Sequence, residues 1–209
     1  MPRSGSANRL VTAGSVWSER SILREKPFPQ RDSPSAAQTA NRVRMQKVGA
    51  AWRSLSMSQA LAWQAYGQTE AGEESAEVAL PQLIFNRLAM RFLQVSPSLP
   101  IPLDPPTSAF PGDSVRVSLT VGAGSILVTA LGANAPGVVT EILLQRLDSP
   151  LRRTYERKYV AAQFVAFTAG QSVTLPVRAG VWAVATRFTL DATGQSTALL
   201  EVGRVVISG

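Results

Sequence analysis

The chain has 209 residues, no cysteine, no histidine, and 21 basic against 14 acidic side chains, for a net charge of +7. That length can bury a real core in one or two domains, and 45% hydrophobic content excludes a wholly disordered chain. The missing residue types exclude a disulfide framework, a thiol nucleophile, a Ser-His-Asp triad and a His/Cys zinc site.

The charge is uneven. Residues 1–50 hold nine basic and three acidic side chains, residues 51–110 three and five, and residues 111–209 nine and six. The basic excess therefore lies in the N-terminal arm. Residues 1–34 show no steady hydrophobic period and carry Gly5, Gly14, Pro2, Pro27, Pro29 and Pro34. They read as an extended basic arm, with room for one short hairpin around GSVWSERSILRE. The first residues have no apolar h-region, so they do not read as a signal peptide. No apolar run approaches the roughly 18 residues of a membrane-crossing helix, and the chain is expected to be made and kept in a cytoplasm. An arm with separated anchors orders by lying on another surface, at roughly 1–2 kcal/mol of conformational entropy per residue. Its anchors are Trp17, Ile22, Leu23 and Phe28, with Arg20 and Arg24 between them and Arg31 just after. Such an arm can attract phosphate backbones through counterion release or dock on an acidic protein surface. The lack of a dense Lys/Arg block favours protein docking over nucleic acid.

At Ser33-Pro34-Ser35 the pattern changes. Ser35 reads as an N-cap, with Gln38 completing a capping box. Ala40, Val43, Val48, Ala51, Trp52 and Leu55 recur near a 3.6 period, which predicts a helix over about 35–54. Ser56-Met57-Ser58-Gln59 opens a second capping box, and a short helix should run to Tyr66 with Gly67 as its C′ residue. The two form a helix-turn-helix corner, held by Trp52, Leu55, Leu61 and Trp63. The acidic stretch GQTEAGEESAE (67–77) then reads as a loop. A third helix follows in LPQLIFNRLAMRFLQV, with Leu80, Leu83, Ile84, Leu88, Phe92 and Val95 on its stripe and Pro81 near its start.

Six prolines between Ser96 and Pro111 predict a stiff, extended linker, which explains the stretch better than an SH3-type ligand does. After Pro111 the hydrophobic period switches to two. SVRVSLTV, SILVTAL, VVTEILLQR, KYVAAQFVAF, SVTLPVR, VWAVATRFTL and EVGRVVI are seven strand candidates separated by turn residues such as Gly122, Gly124, Asn134, Gly137, Gly170, Gly180 and Gly194. The fold class is α+β: an arm (1–34), a helical region (35–95), a linker (96–111) and an antiparallel β-sandwich (112–209) of immunoglobulin or fibronectin type III style. Trp182 should be core, with Val184 and Thr186 on its face.

No constellation reads as a catalytic site, so the chain is expected not to be an enzyme and to use no cofactor or metal. Glu70, Glu73, Glu74 and Glu77 sit in a polar loop rather than a protected cleft, and their order is not that of a calcium loop. Gly122, Gly124, Gly132 and Gly137 lie between strands and read as hairpin turns, not as a phosphate-binding loop. Arg152, Arg153, Arg157 and Lys158, interleaved with Tyr155 and Tyr159, could face an acidic partner, or form a solvated loop with aromatic anchors. Trp52 and Trp63 stand at helical core positions, which favours core over a base-stacking platform.

The ordered block Pro34-Ser35-x-x-Gln38-x-x-x-Arg42, then Trp52-x-x-Leu55-Ser56-x-x-Gln59-x-x-x-Trp63, then Phe85-Asn86, resembles a group of poorly characterised tailed-phage and prophage structural proteins. Those often begin with a Gly-rich, Arg-containing arm, here GSVWSERSILREKPFPQR, although this arm lacks paired glycines. The resemblance covers about residues 10–90. It implies a structural component of a virion, made in the host bacterial cytoplasm. A capsid decoration or cement role comes first, and a tail or head-tail connector accessory role second. The implied partners are other virion proteins, such as major capsid or tail proteins, with the chain itself in multiple copies. The β-module resembles the immunoglobulin-like modules of phage particles. A host-surface or carbohydrate-binding module using Phe110, Tyr155 and Tyr159 is the remaining alternative.

Overall fold

The computed structural model describes residues 35–71 and 80–208. Helix α1 spans Ala36–Arg53, α2 Met57–Ala71 and α3 Pro81–Val95. The tight turn between α1 and α2 uses the last carbonyls of α1, with Ser54 N donating to Ala50 O and Ala51 O and Ser54 Oγ to Ala51 O at 2.8 Å. The second capping box forms as expected. Gln59 N donates to Ser56 Oγ at 3.2 Å, and Ser56 N donates back to Gln59 Oε1 at 3.0 Å.

Three expectations about the helices need correction. Helix α2 does not stop at Gly67; the glycine is buried inside it and the helix continues to Ala71. Gln68 to Ala71 contain no helix breaker, and a buried glycine leaves room for close packing. On α3 the buried pairs are Ile84/Phe85, Leu88/Ala89 and Phe92/Leu93, two adjacent i, i+4 rows rather than the single expected stripe. Leu80, the N-cap residue ahead of the helix, and Leu83, which falls outside both rows, are exposed, as is Leu61 of α2. On α1 only Val48 is buried. Trp52, Ala51 and Leu55 are half-buried against the helical core, while Ala40 and Val43 face solvent. The 15-residue helices α2 and α3 cover only the last turns of the longer α1.

The seven strands fall close to their expected positions: β1 Val117–Gly122, β2 Ser125–Ala130, β3 Val138–Leu147, β4 Val160–Val165, β5 Ser172–Pro176, β6 Gly180–Leu190 and β7 Leu200–Ile207. They form two antiparallel sheets, ordered β1-β2-β5 and β4-β3-β6-β7, so the chain is α+β. Both sheets feed one core: Ile126, Val128, Ala130 and Leu175 from the first, and Ile142, Val184, Val205 and Ile207 from the second. Trp182 lies half-buried at its margin and donates Nε1 to Arg178 O at 2.9 Å.

Residues 96–111 contain no helix or strand, as their prolines dictate, but they pack closely. Trp63 Nε1 donates to Leu103 O at 2.8 Å and Gln59 Nε2 to Asp104 Oδ1 at 3.1 Å. Ile101 joins the helical core. Gln195, between β6 and β7, donates Nε2 to Ser108 O at 2.9 Å and approaches the Tyr66 hydroxyl at 3.4 Å. The same connection touches α3 at Gly194, where an added Cβ would collide with Leu88 O and lie 2.9 Å from Phe92 N. Gly194 also holds φ at 76°, so it meets two demands that other residues fail. Helices, proline-rich segment and sheets thus belong to one compact unit, Ala37–Gly209.

Candidate functional site

The residues of the resembling block are mostly scaffold. Trp63 and Phe85 are buried, their rings 5.2 Å apart and edge-on, and Trp52 tilts against Phe85 at 5.3 Å. Leu55 packs on the same cluster. Ser56 and Gln59 form the cap. Gln38 and Arg42 are exposed on the first half of α1. Asn86 is half-buried, with an Oδ1 that has no hydrogen-bond partner among the described residues. Pro34 and the arm residues Trp17, Arg20, Ile22, Leu23, Arg24, Phe28 and Arg31 lie outside the described residues, as do Glu73, Glu74 and Glu77.

The basic segment between β3 and β4 folds back over the outer face of the four-stranded sheet. Tyr155 N donates to Gln145 Oε1 at 3.1 Å, Thr154 Oγ1 to Glu201 Oε2 at 2.7 Å, and Arg204 to the carbonyls of Pro150 and Arg152. Arg153 Cζ and Lys158 Nζ lie 5.9 and 5.1 Å from the centre of the Tyr155 ring, within cation–π range. Two of its cations are therefore engaged by the segment's own aromatic anchor. Arg152 is exposed. Arg157, in the single 3-10 turn Glu156–Lys158, lines a cleft instead.

Beside that cleft lies a buried carboxylate. Glu141 of β3 is 1% exposed in the middle of the sheet's outer face. Its Oε2 accepts from Arg187 Nε of β6 at 2.6 Å and from Arg91 Nη1 of α3 at 3.3 Å. Glu141 and Arg187 are direct cross-strand partners, so the ladder sets the first contact. The docking of α3 sets the second. Burial pushes the Arg91 guanidinium below its ordinary value; the charges of Arg187 and Arg87 act in the same direction, and Glu141 opposes them. A single carboxylate thus serves two largely dried cations.

Two hollows flank this pair and share Glu156 and Arg187 in their walls. One, of about 380 Å³, is lined by Tyr66, Arg87, Arg91, Arg187, Gln195 and Thr197 among others. The other, of about 610 Å³, is walled by Leu143, Tyr155, Arg157, Tyr159 and Leu199. The arrangement can hold an anion beside apolar surface. Glu141 is engaged as an acceptor by two guanidiniums, which does not suit proton transfer. Among the described residues no group of three or more His, Cys, Asp or Glu side chains could hold a metal ion, and no helix is long and apolar enough to cross a membrane.

Sequence reasoning named Arg157 but missed Arg91, Glu141 and Arg187. One signal was present: VVTEILLQR is apolar on both alternating faces, which marks a strand covered on both sides, and Glu141 interrupts the outer one. Compared with known proteins, the chain matches no family and no curated relative.

Proposed function

We propose that this chain is a structural protein of a tailed-phage virion without catalytic activity, a decoration or cement protein of the capsid held by its N-terminal arm. The observation that carries the reading is the solvent-exposed start of α1. From Ala36 to Lys47, about three turns, no residue is buried, and Val43 and Met45 are nearly half exposed. Met57, Leu61, Leu80 and Leu83 of the other helices are more exposed still. A helix that finds no core within its own unit is suited to gain one from a neighbour. In sequence, this helix continues directly from the basic arm with its spaced apolar anchors.

The strand order supports a finer reading of the β-part as an immunoglobulin-like sandwich. In a constant-type immunoglobulin domain the fourth strand joins the sheet of the first, second and fifth. Here it pairs with the third, beside the sixth and seventh, and we read this as the fibronectin type III variant. Such modules pack beside neighbours on a particle surface without needing a catalytic cleft.

The test compares particles assembled with the full chain and with residues 35–209 alone. Incorporation of the full chain, and loss of the truncated one while its β-rich circular dichroism and cooperative melting persist, is the expected result. Equal incorporation of both proteins would sink the arm-anchored reading.

A further inference from the structure

We propose that the cleft on the outer face of the four-stranded sheet is a docking site for an acidic peptide segment of a partner protein, with a carboxylate seated at Arg91, Arg187 and Arg157 and an apolar neighbour against Leu143 and Leu199. The inference stands apart from the virion reading, since it rests only on the cleft.

The charge balance is the first argument. Three guanidiniums, of Arg91, Arg157 and Arg187, line the two hollows. Among the described residues two carboxylates oppose them, Glu156 in the shared wall and Glu141 beneath. Arg91 and Arg187 both spend their contact on a single oxygen of Glu141. A guanidinium has five N–H donors in a fixed fork. Among the described residues, both terminal nitrogens of Arg187 are without a partner, and Arg91 engages only Nη1. Their side chains are 16% and 17% exposed, and they line the hollows. A carboxylate entering here meets donors already oriented by Glu141, the geometry that Arg–carboxylate pairs use.

Shape is the second argument. The hollows adjoin at Glu156 and Arg187, and their other walls are unlike. A lone phosphate or acetate would use the arginine half and leave the Leu143, Leu199 and Tyr159 half unused. An extended peptide with acidic and apolar residues in alternation matches both, and its ends can leave through the open side.

Fluorescence anisotropy with the full chain and a fluorescein-labelled peptide of alternating Leu and Glu tests this at low ionic strength. Saturable binding is expected, with the Leu/Gln counterpart at least about tenfold weaker. Arg157→Gln and Leu199→Glu, both lining the larger hollow, should each weaken binding by about tenfold with unchanged melting temperature. Arg178→Gln, an exposed basic residue outside the cleft, should leave binding unchanged. No saturable binding, equal binding of the Gln peptide, or equal losses for Arg157→Gln and Arg178→Gln would each overturn the proposal. Full displacement of the peptide by millimolar inorganic phosphate, together with no effect of Leu199→Glu, would make this a small-anion site and overturn it as well.

Discussion

Glu141 and Arg187 face each other across the β3–β6 ladder, and Arg187 Nε reaches Glu141 Oε2 at 2.6 Å with the carboxylate almost fully buried. The value of the pair is asymmetric. Removing the carboxylate leaves Arg187 and Arg91 facing each other in a poorly hydrated site, so Glu141→Ala should cost about 3 kcal/mol, read as a lower denaturant midpoint. Replacing the whole group, with Glu141→Leu, Arg187→Met and Arg91→Met together, should recover most of that loss. A triple variant as unstable as the single one would show that the ions hold α3 to the sheet through more than mutual compensation.

Trp63 and Trp52 differ in kind although the sequence presents them as equals. Trp63 is 2% exposed, meets Tyr66 and Phe85 edge-on, and donates to Leu103 O. Trp52 is half-buried and, among the described aromatic rings, touches Phe85 alone. Trp63→Ala should therefore cost about 3–5 kcal/mol, and Trp52→Ala clearly less. Trp63→Phe keeps the ring but strands the Leu103 carbonyl, at about 1–2 kcal/mol. Chemical denaturation of the three variants gives the order, and a Trp52→Ala loss equal to that of Trp63→Ala would contradict it.

The strands and the capped corner were legible because their signals are local. Alternation marks each strand within a few residues, and Ser56 and Gln59 are three apart. What was not legible depends on distant partners. Arg91 and Arg187 reach Glu141 from 50 and 46 residues away. Whether Leu80, Leu83 and Leu61 are covered depends on how three helices cross, which a period cannot state. Asn134 read as a turn residue, yet its side chain contacts Asp113 Oδ2 at 3.0 Å, Thr140 Oγ1 at 2.9 Å and Phe167 N at 2.7 Å, tying together four separate stretches. Gln145 lies in a strand pattern but holds the returning segment at Tyr155.

Gly194 is where the β6–β7 connection meets the backbone of α3. Alanine there faces both a left-handed φ of 76° and a collision with the carbonyl of Leu88. Backbone cannot rotate away as a side-chain tip can, so Gly194→Ala should cost about 2–4 kcal/mol, the strain adding to the overpacking. Gly170 has the same φ with nothing near its would-be Cβ, so Gly170→Ala isolates the conformational part at about 1 kcal/mol. Thermal melts of the two variants separate the terms; equal losses would mean that α3 does not press on Gly194.

Tyr159 and Glu201 give the returning segment a dependence on pH at both ends of the scale. Burial, and then the charge and hydrogen bond of Glu201, push the Tyr159 hydroxyl up to about 12 from its ordinary 10.0. A raised folded value means that the stabilisation is complete below pH 10 and is lost as pH climbs toward about 12. Glu201 moves the other way. Burial favours its neutral form, but hydrogen bonds from Thr154, Arg204 and Tyr159 outweigh that and bring it below its ordinary 4.5. Its stabilisation is therefore present above pH 4.5 and fades as pH falls through the lowered value. Urea unfolding across pH should show Tyr159→Phe losing less stability than the wild type between pH 10 and 12. Glu201→Gln should differ from the wild type most above pH 4.5 and converge with it in acid. Parallel curves for wild type and Tyr159→Phe through the alkaline window would show that the hydroxyl titrates as it does in the unfolded chain.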